Sequence, residues 1–193
     1  TAESSERRFR SGLVNQVVPL LEMDDALTSG ISVADVGCGS GLASYLLGRE
    51  FPNSTFVGFD MSENGIQHAS EVAKDQTNVS YEVADAAALN QDERFDLVTT
   101  FDAIHDQAHP KKVLSEIFNM LRPGGTYLCV EPKASSRLEE NIPDPMAPYM
   151  YTISAMHCMT VSLAYGGEGL GAAWGHQLAT EYLTEAGFTD IRI

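Results

Sequence analysis

Cysteine is scarce. The 193 residues contain three, Cys38, Cys129 and Cys158, too far apart to make a CxxC pair. That spacing gives no sign of a zinc site and suits a reducing cytoplasm, where disulfides are rare. Positive charge is scarce too: 12 Lys and Arg stand against 27 Asp and Glu, for a net charge of -15. The only basic groupings are "RRFR" and one "KK". Such a field repels phosphate backbones, so nucleic acid is not expected as a partner. No apolar run is long enough to cross a bilayer and no signal peptide is seen, so no membrane partner is expected; the cytoplasmic localisation expected rests on the cysteine usage alone. Residue 1 is Thr rather than Met, so the chain is expected to be an excised or processed piece.

What remains is an ordinary globular composition, with 44% hydrophobic and 20% charged residues, over a length that suits one domain with a real core. Strands and helices alternate along it. Residues from about Arg7 to Glu22 place Phe9, Leu13, Val17, Leu20 and Leu21 at helical spacing, with Pro19 disturbing the last turn. "ISVADVG", "STFVGFD", "NVSYEVAD", "RFDLVTTFD" and "TYLCVE" read as five strands. Between them come "LASYLLGREF" and a helix capped by Ser62 that runs to about Lys74, with Ile66, Ala69, Val72 and Ala73 inward. Another starts at Pro110 and carries Val113, Leu114, Ile117, Phe118 and Leu121; "RPGG" is expected to close it in a turn. "ATEYLTEAGF" reads as a last helix capped by Gly187, and "FTDIRI" as the start of a sixth strand. The alternation predicts a doubly wound α/β fold, a parallel sheet with helices on both faces.

The alternation fails between Glu131 and Thr180, in a stretch rich in methionine and tyrosine with a glycine-rich end. An insertion after a strand's carboxyl end lies where such sheets bind ligands. It reads as a substrate cap, with a plain helical excursion as the alternative. The expected segments are 1–30 (helical), 31–131 (cofactor-binding core), 132–180 (cap) and 181–193 (final helix and strand), all within one domain.

The decisive stretch is "VADVGCGSG", which puts Gly37, Gly39 and Gly41 after Asp35. A dinucleotide fingerprint begun at Gly37 needs a third glycine where Leu42 stands, and no Lys or Arg lies between Ile31 and Gly48 to serve a phosphate. With an aspartate at its entrance, the turn favours a cation over a pyrophosphate.

These residues resemble motif I of the class I S-adenosylmethionine-dependent methyltransferases. The likeness continues through "FVGFD", "VADAAAL", "FDLVTTFDAIHD" and "LRPGG", and covers roughly residues 31–131. "AIHDQAHP" with "KASS…EN…MHCMTVSLAYGG" further resembles a little-characterised group of these enzymes, whose members often carry an amino-terminal winged-helix segment with no counterpart here. The resemblance implies a Rossmann-like sheet of order 3-2-1-4-5-7-6. Its last strand has no counterpart before Ile193, so the protein is expected to continue.

It also implies S-adenosylmethionine as cofactor, with S-adenosylhomocysteine as product. The expected binding set is Asp35, Gly37, Cys38, Gly39, Gly41, Asp60, Met61, Asp85, Ala86, Phe101 and Asp102. A Cβ at Gly37 or Gly39 would collide with the methionine moiety. Asp35 places negative charge near the cofactor's positive end. Asp60 accepts the ribose hydroxyls, as the family does, Met61 lies against the adenine, and Asp85 accepts from the adenine amino group. Phe101 and Asp102 border the methyl donor.

Methyl transfer from a sulfonium is an in-line displacement that needs positioning more than a strong catalyst. Two roles suit His105: a general base, or a structural histidine bonded to Asp106. His109 is expected to cap or precede the helix at Pro110, and His68 and His176 to be structural or solvated. For the acceptor, His105, Tyr149, Met150, Tyr151, Met156 and His157 are candidates. Trp174 either closes that pocket or fills a core gap.

No metal is expected, because "EPK" stands where catechol-type enzymes carry an Asp-Asn pair. "FDAI" replaces the [DNS]PP[YF] tetrapeptide of base and amide methylation, and Cys38 and Cys129 read as packing residues rather than arsenic-binding thiolates. The expected activity is methylation of a small, fairly apolar molecule at O, C or N. The alternatives are a catalytically silent S-adenosylmethionine-binding regulator and, third, an NAD-dependent oxidoreductase.

Overall fold

Strands without polar alternation are covered on both faces, as parallel sheets require. In the computed structural model, which describes residues 12–193, β1 (Ser32–Val36) and β2 (Thr55–Asp60) are buried over nearly their whole lengths. They pair in parallel, with Asp35 opposite Gly58, and β1 pairs on its other side with β4 (Phe95–Phe101), with Asp35 opposite Thr99. β3 (Val79–Val83) runs parallel to β2, with Asp60 opposite Val83. β5 (Leu121–Val130) completes the order β3-β2-β1-β4-β5, the first five places of the expected sheet.

Two compact units make up the chain, one running to Thr100 and including Asn119–Cys129, the other made of Phe101–Phe118 and Val130–Ile193. The first holds α1 (Asp24–Ser29), α2 (Leu42–Glu50), α3 (Glu63–Val72) and nearly all of the sheet. Its core is Leu13, Leu27, Val33, Phe56, Phe59, Phe95 and Leu97, with Phe59 and Phe95 edge to face at 6.2 Å. The second holds α4 (Pro110–Met120) as far as Phe118, α5 (Leu138–Asn141), α6 (Ala147–Ile153), α7 (Met159–Ala164) and α8 (Gly175–Ala186). A π-helical turn, Ser154–Cys158, joins α6 to α7. Where the first unit buries Asp35 and hydroxyl side chains such as Ser44, Ser54 and Thr99, this unit also buries a histidine and an amide, His105 and Asn141, beside Ser135, Ser154 and Ser162.

Several expectations change. The helix expected from Arg7 begins outside the described residues. Its described part is a π turn, Leu13–Val17, and a 3-10 turn, Val18–Leu21, in which Leu20 is exposed. Pro19 lacks the amide proton that would continue an α-helix. α3 stops at Val72, which is exposed while Ile66, Ala69 and Ala73 are buried. Phe118 is partly exposed, although its ring meets Phe188 edge to face at 5.2 Å. Leu121 opens β5 instead of ending α4, so "RPGG" lies within the strand's bounds, where Gly124 at φ 82° supplies the bend. α8 starts at Gly175, earlier than expected, and Gly187 caps it in the left-handed region as expected. Residues 188–193 form no strand. In the expected order the sixth strand pairs with the seventh, and a strand without a partner leaves its backbone groups unsatisfied.

Candidate functional site

The first unit turns sharply at the carboxyl end of β1. Gly37, Gly39 and Gly41 all sit at positive φ, at 72°, 56° and 73°. Other residues adopt this region only at a cost of about 1–2 kcal/mol. The amides of Gly37 and Cys38 both donate to the carbonyl of Phe59, at 2.8 and 3.1 Å, which anchors the turn to β2. The reasons for glycine differ along the turn. At Gly41 a Cβ would lie 2.4 Å from the Tyr81 ring, whose hydroxyl donates to the Gly41 carbonyl at 2.7 Å. At Gly39 a Cβ would meet nothing within 4 Å, so the protein leaves that space open and only the backbone conformation demands glycine.

Asp60, at the tip of β2, faces this turn. One carboxylate oxygen accepts from the Gly39 amide at 2.9 Å and the other from the Ser62 amide at 2.8 Å. Ser62 in turn caps α3, accepting from the Gly65 amide at 3.1 Å. Each oxygen keeps a lone pair for a further donor, such as a vicinal diol. Asp85 caps a short 3-10 turn, Ala86–Ala88, accepting from the Ala87 amide at 2.8 Å, and is exposed. Met61 is also exposed, which leaves it available to a flat ring.

Asp35 is buried, and accepts from the hydroxyls of Ser44 at 3.0 Å and Thr99 at 3.2 Å. Burial pushes its carboxyl up to about 6 from 3.8, against the lowering effect of those two bonds and with a small further rise from Asp60. Burial, with Asp35 and Asp60 nearby, raises the Cys38 thiol as well, so Cys38 is no nucleophile and fills space beside Gly58. Open space over Gly39, a fixed carboxylate and no cationic side chain in the turn fit a phosphate-free nucleoside with a cationic end.

In the second unit Asp102, just past β4, holds a left-handed φ of 52°, with its amide donating to the Val130 carbonyl at 2.8 Å. Strain of this kind at a non-glycine residue clusters at functional sites. Phe101 beside it is half-buried. His105 lies in the following turn and is buried. Its Nδ1 is paired with Glu131, and its Nε2 lies 3.3 Å from Asp106 Oδ1. Burial alone would depress the imidazole. The bond to Glu131 and the charges of Glu131, Asp106 and Asp102 outweigh it and raise the imidazole above its usual range. Glu131 is itself fixed, accepting from the Ile104 amide at 2.9 Å and Trp174 Nε1 at 3.4 Å.

Of the acceptor candidates, Tyr149, Met156 and His157 are exposed and Met150 is half-buried. Tyr151 is half-buried, its hydroxyl accepting from Asn141 at 2.8 Å, and Trp174 is buried against Glu131 and Tyr182. His109 precedes α4, its carbonyl accepting from the Val113 amide at 3.1 Å. His68 is exposed on α3, and His176 lies inside α8.

A sequence model of the methyltransferase domain matches residues 27–187. The chain belongs to the class I S-adenosylmethionine-dependent methyltransferase family. A ubiquinone biosynthesis O-methyltransferase of Coxiella burnetii is 34% identical over 98 residues, 50% of this chain and 41% of that one. A demethylmenaquinone methyltransferase of Lactococcus lactis is 32% identical over 107 residues, 53% and 42% of the respective chains. This family member thus spans about two fifths of the length of these curated relatives. Among solved structures, a Bacillus halodurans protein assigned as a methyltransferase superposes with a TM-score of 0.66 at 25% identity, over 90% of this chain and 68% of that one.

Two members of the polar cluster escaped the sequence reading. Glu131 stands in "EPK", which differs from an Asp-Asn pair but carries no local cue to a partner. Cys158 lies too far along the chain from His105 for any spacing rule to link them. The available signal was the run of acids around "FDAIHD" with one histidine among them, which forecasts a charged pairing but not its partner 26 residues away.

Proposed function

We propose that this methyltransferase-family chain binds S-adenosylmethionine on its first unit and directs the methyl group to an oxygen, carbon or nitrogen of a small, fairly apolar molecule. The observation that carries the reading is Asp60, held at both oxygens by backbone amides beside three left-handed glycines. In this reading Asp60 receives the ribose hydroxyls, Asp85 the adenine amino group, and Met61 packs on the base. Asp35 contributes the negative potential that a cationic ligand needs, and binding draws it toward its ionised form. Bound there, S-adenosylmethionine supplies a methyl sulfonium, an electrophile with an excellent leaving group. The protein's task is then to orient the acceptor and exclude water. The second unit is assigned to the acceptor. The relatives' names, ubiquinone and demethylmenaquinone methylation, support an apolar ring compound as its class.

The test is calorimetry with S-adenosylhomocysteine and NAD, followed by transfer of label from methyl-tritiated donor to quinol and phenol acceptors. Saturable S-adenosylhomocysteine binding, no NAD binding and label in an extracted product are expected. Binding without transfer to any acceptor in a metabolite extract would leave a cofactor-binding regulator instead.

A further inference from the structure

Within the second unit, His105, Asp106 and Cys158 bring together a ring nitrogen, a carboxylate oxygen and a sulfur, all within 4.8 Å of one another. We propose that His105 Nε2, Asp106 and the Cys158 sulfur form a three-ligand site for a divalent cation of the zinc type. The ligand types decide the class. One sulfur, one imidazole and one carboxylate suit zinc, whereas magnesium and calcium sites are built from oxygen.

Three further features point to a cation. His105 presents its Nε2 to the cluster because its Nδ1 is committed to Glu131, the carboxylate–histidine arrangement that orients metal-bound imidazoles. Glu131 is held by the Ile104 amide and the Trp174 indole, so the ring is positioned before any ion arrives. Asp106 Oδ1 is buried 3.3 Å from Nε2 without the alignment of a hydrogen bond, and the Cys158 thiol is the group that reaches the Asp106 carboxylate. A metal ion would replace that single weak thiol donor with a bond to each of the three groups.

The backbone ties these ligands together although they are far apart in sequence. Cys158 ends the π turn that joins α6 to α7, and π turns recur at functional sites. Ser154, at the start of that turn, accepts from the Ala172 amide at 2.9 Å, and the neighbouring Gly171 amide donates to the His105 carbonyl at 3.2 Å. Gly171 has φ 76°, and a Cβ there would fall 2.4 Å from Ser154 Oγ, so the clasp between the two turns requires glycine. On loading, the Cys158 sulfur gives up its proton to solvent and coordinates as thiolate; Nε2 likewise gives up any proton it carries. Three protein ligands leave a fourth position for water or for an oxygen of a small molecule.

Cobalt tests this on the full chain after treatment with a chelator. Titration with Co2+ is expected to saturate at one equivalent, giving the visible bands of a four-coordinate ion and a thiolate charge-transfer band, both bleached by Zn2+. Cys158→Ser should remove the charge-transfer band. Glu131→Gln should keep it but weaken Zn2+ binding about 10–100-fold. Cys129→Ser should change neither. X-ray absorption on the zinc-loaded native chain needs no variant and should show one sulfur among nitrogen and oxygen neighbours. A sulfur-free shell, no saturable uptake by the folded chain, or an unchanged spectrum in Cys158→Ser would each overturn the site.

Discussion

The two units spend their polar groups differently. The first makes its candidate site from backbone, with one turn of three left-handed glycines and two amides on one carboxylate, over a core that is apolar apart from Asp35 and a few hydroxyl side chains. The second buries a histidine between carboxylates, and leaves apolar side chains such as Met146, Tyr149, Met156 and Leu163 in solvent. A backbone-built site depends on chain geometry and tolerates little change at the turns. A side-chain cluster depends on a few distant residues and tolerates much change around it.

Asp60→Ala should break this contrast most visibly. It removes the acceptor for two amides and, on the proposed reading, two charge-assisted bonds to a ribose, each worth roughly 1.5–3 kcal/mol. A loss of about a thousandfold in S-adenosylhomocysteine affinity is expected by calorimetry. An affinity within tenfold of the native chain would remove the cradle from consideration. Gly41→Ala comes next. Its Cβ would meet the Tyr81 ring at 2.4 Å at φ 73°, and strain with overpacking predicts a loss of about 3 kcal/mol, read as a thermal midpoint lowered by roughly 10 °C.

Asp35 sharpens the comparison through pH. Its folded value of about 6 lies above the unfolded 3.8, so its favourable contribution is whole below pH 3.8 and is lost as pH rises through 6. At about 1.4 kcal/mol per unit, the loss is on the order of 3 kcal/mol. Urea titrations from pH 4 to 8 should show that decline in the native chain and its absence in Asp35→Asn; equal slopes would argue against a buried, ionising carboxyl. The smallest effect belongs to the other unit. Tyr149→Ala and Met156→Ala, both at exposed positions, should leave stability within about 0.5 kcal/mol. Any larger drop in unfolding free energy would mean that those side chains are covered in solution.

The first unit was readable because its signals are local. Each strand is one apolar run, the glycines mark the turn that ends β1, and Ser62 caps α3 from its own first turn, although the bond from the Gly39 amide to Asp60 spans two strands. Local signals failed where a partner elsewhere decides the outcome. "FTDIRI" has the pattern of a strand, yet among the described residues it pairs with no strand of the sheet. Val72 and Phe118 fit their helical periods but stand at the rims of those faces, where exposure depends on what packs nearby. The bond between His105 and Glu131 joins the ends of two strands, and no spacing rule links the loops that follow them. The glycines of "GGEGLGAA" had no turn motif to explain them. Gly167 and Gly171 are small because Ala108 and Ser154 occupy the space that a side chain would need.

Asp60 has its rotamer fixed by the fold itself, since the amides of Gly39 and Ser62 grip opposite oxygens. The torsional freedom that a loose carboxylate would surrender when it captured a diol has been given up during folding. Recognition at that spot should therefore be quick and nearly rigid. Whatever loosens the 39–62 junction will erode affinity in step with thermal resistance, even at a distance from the ligand.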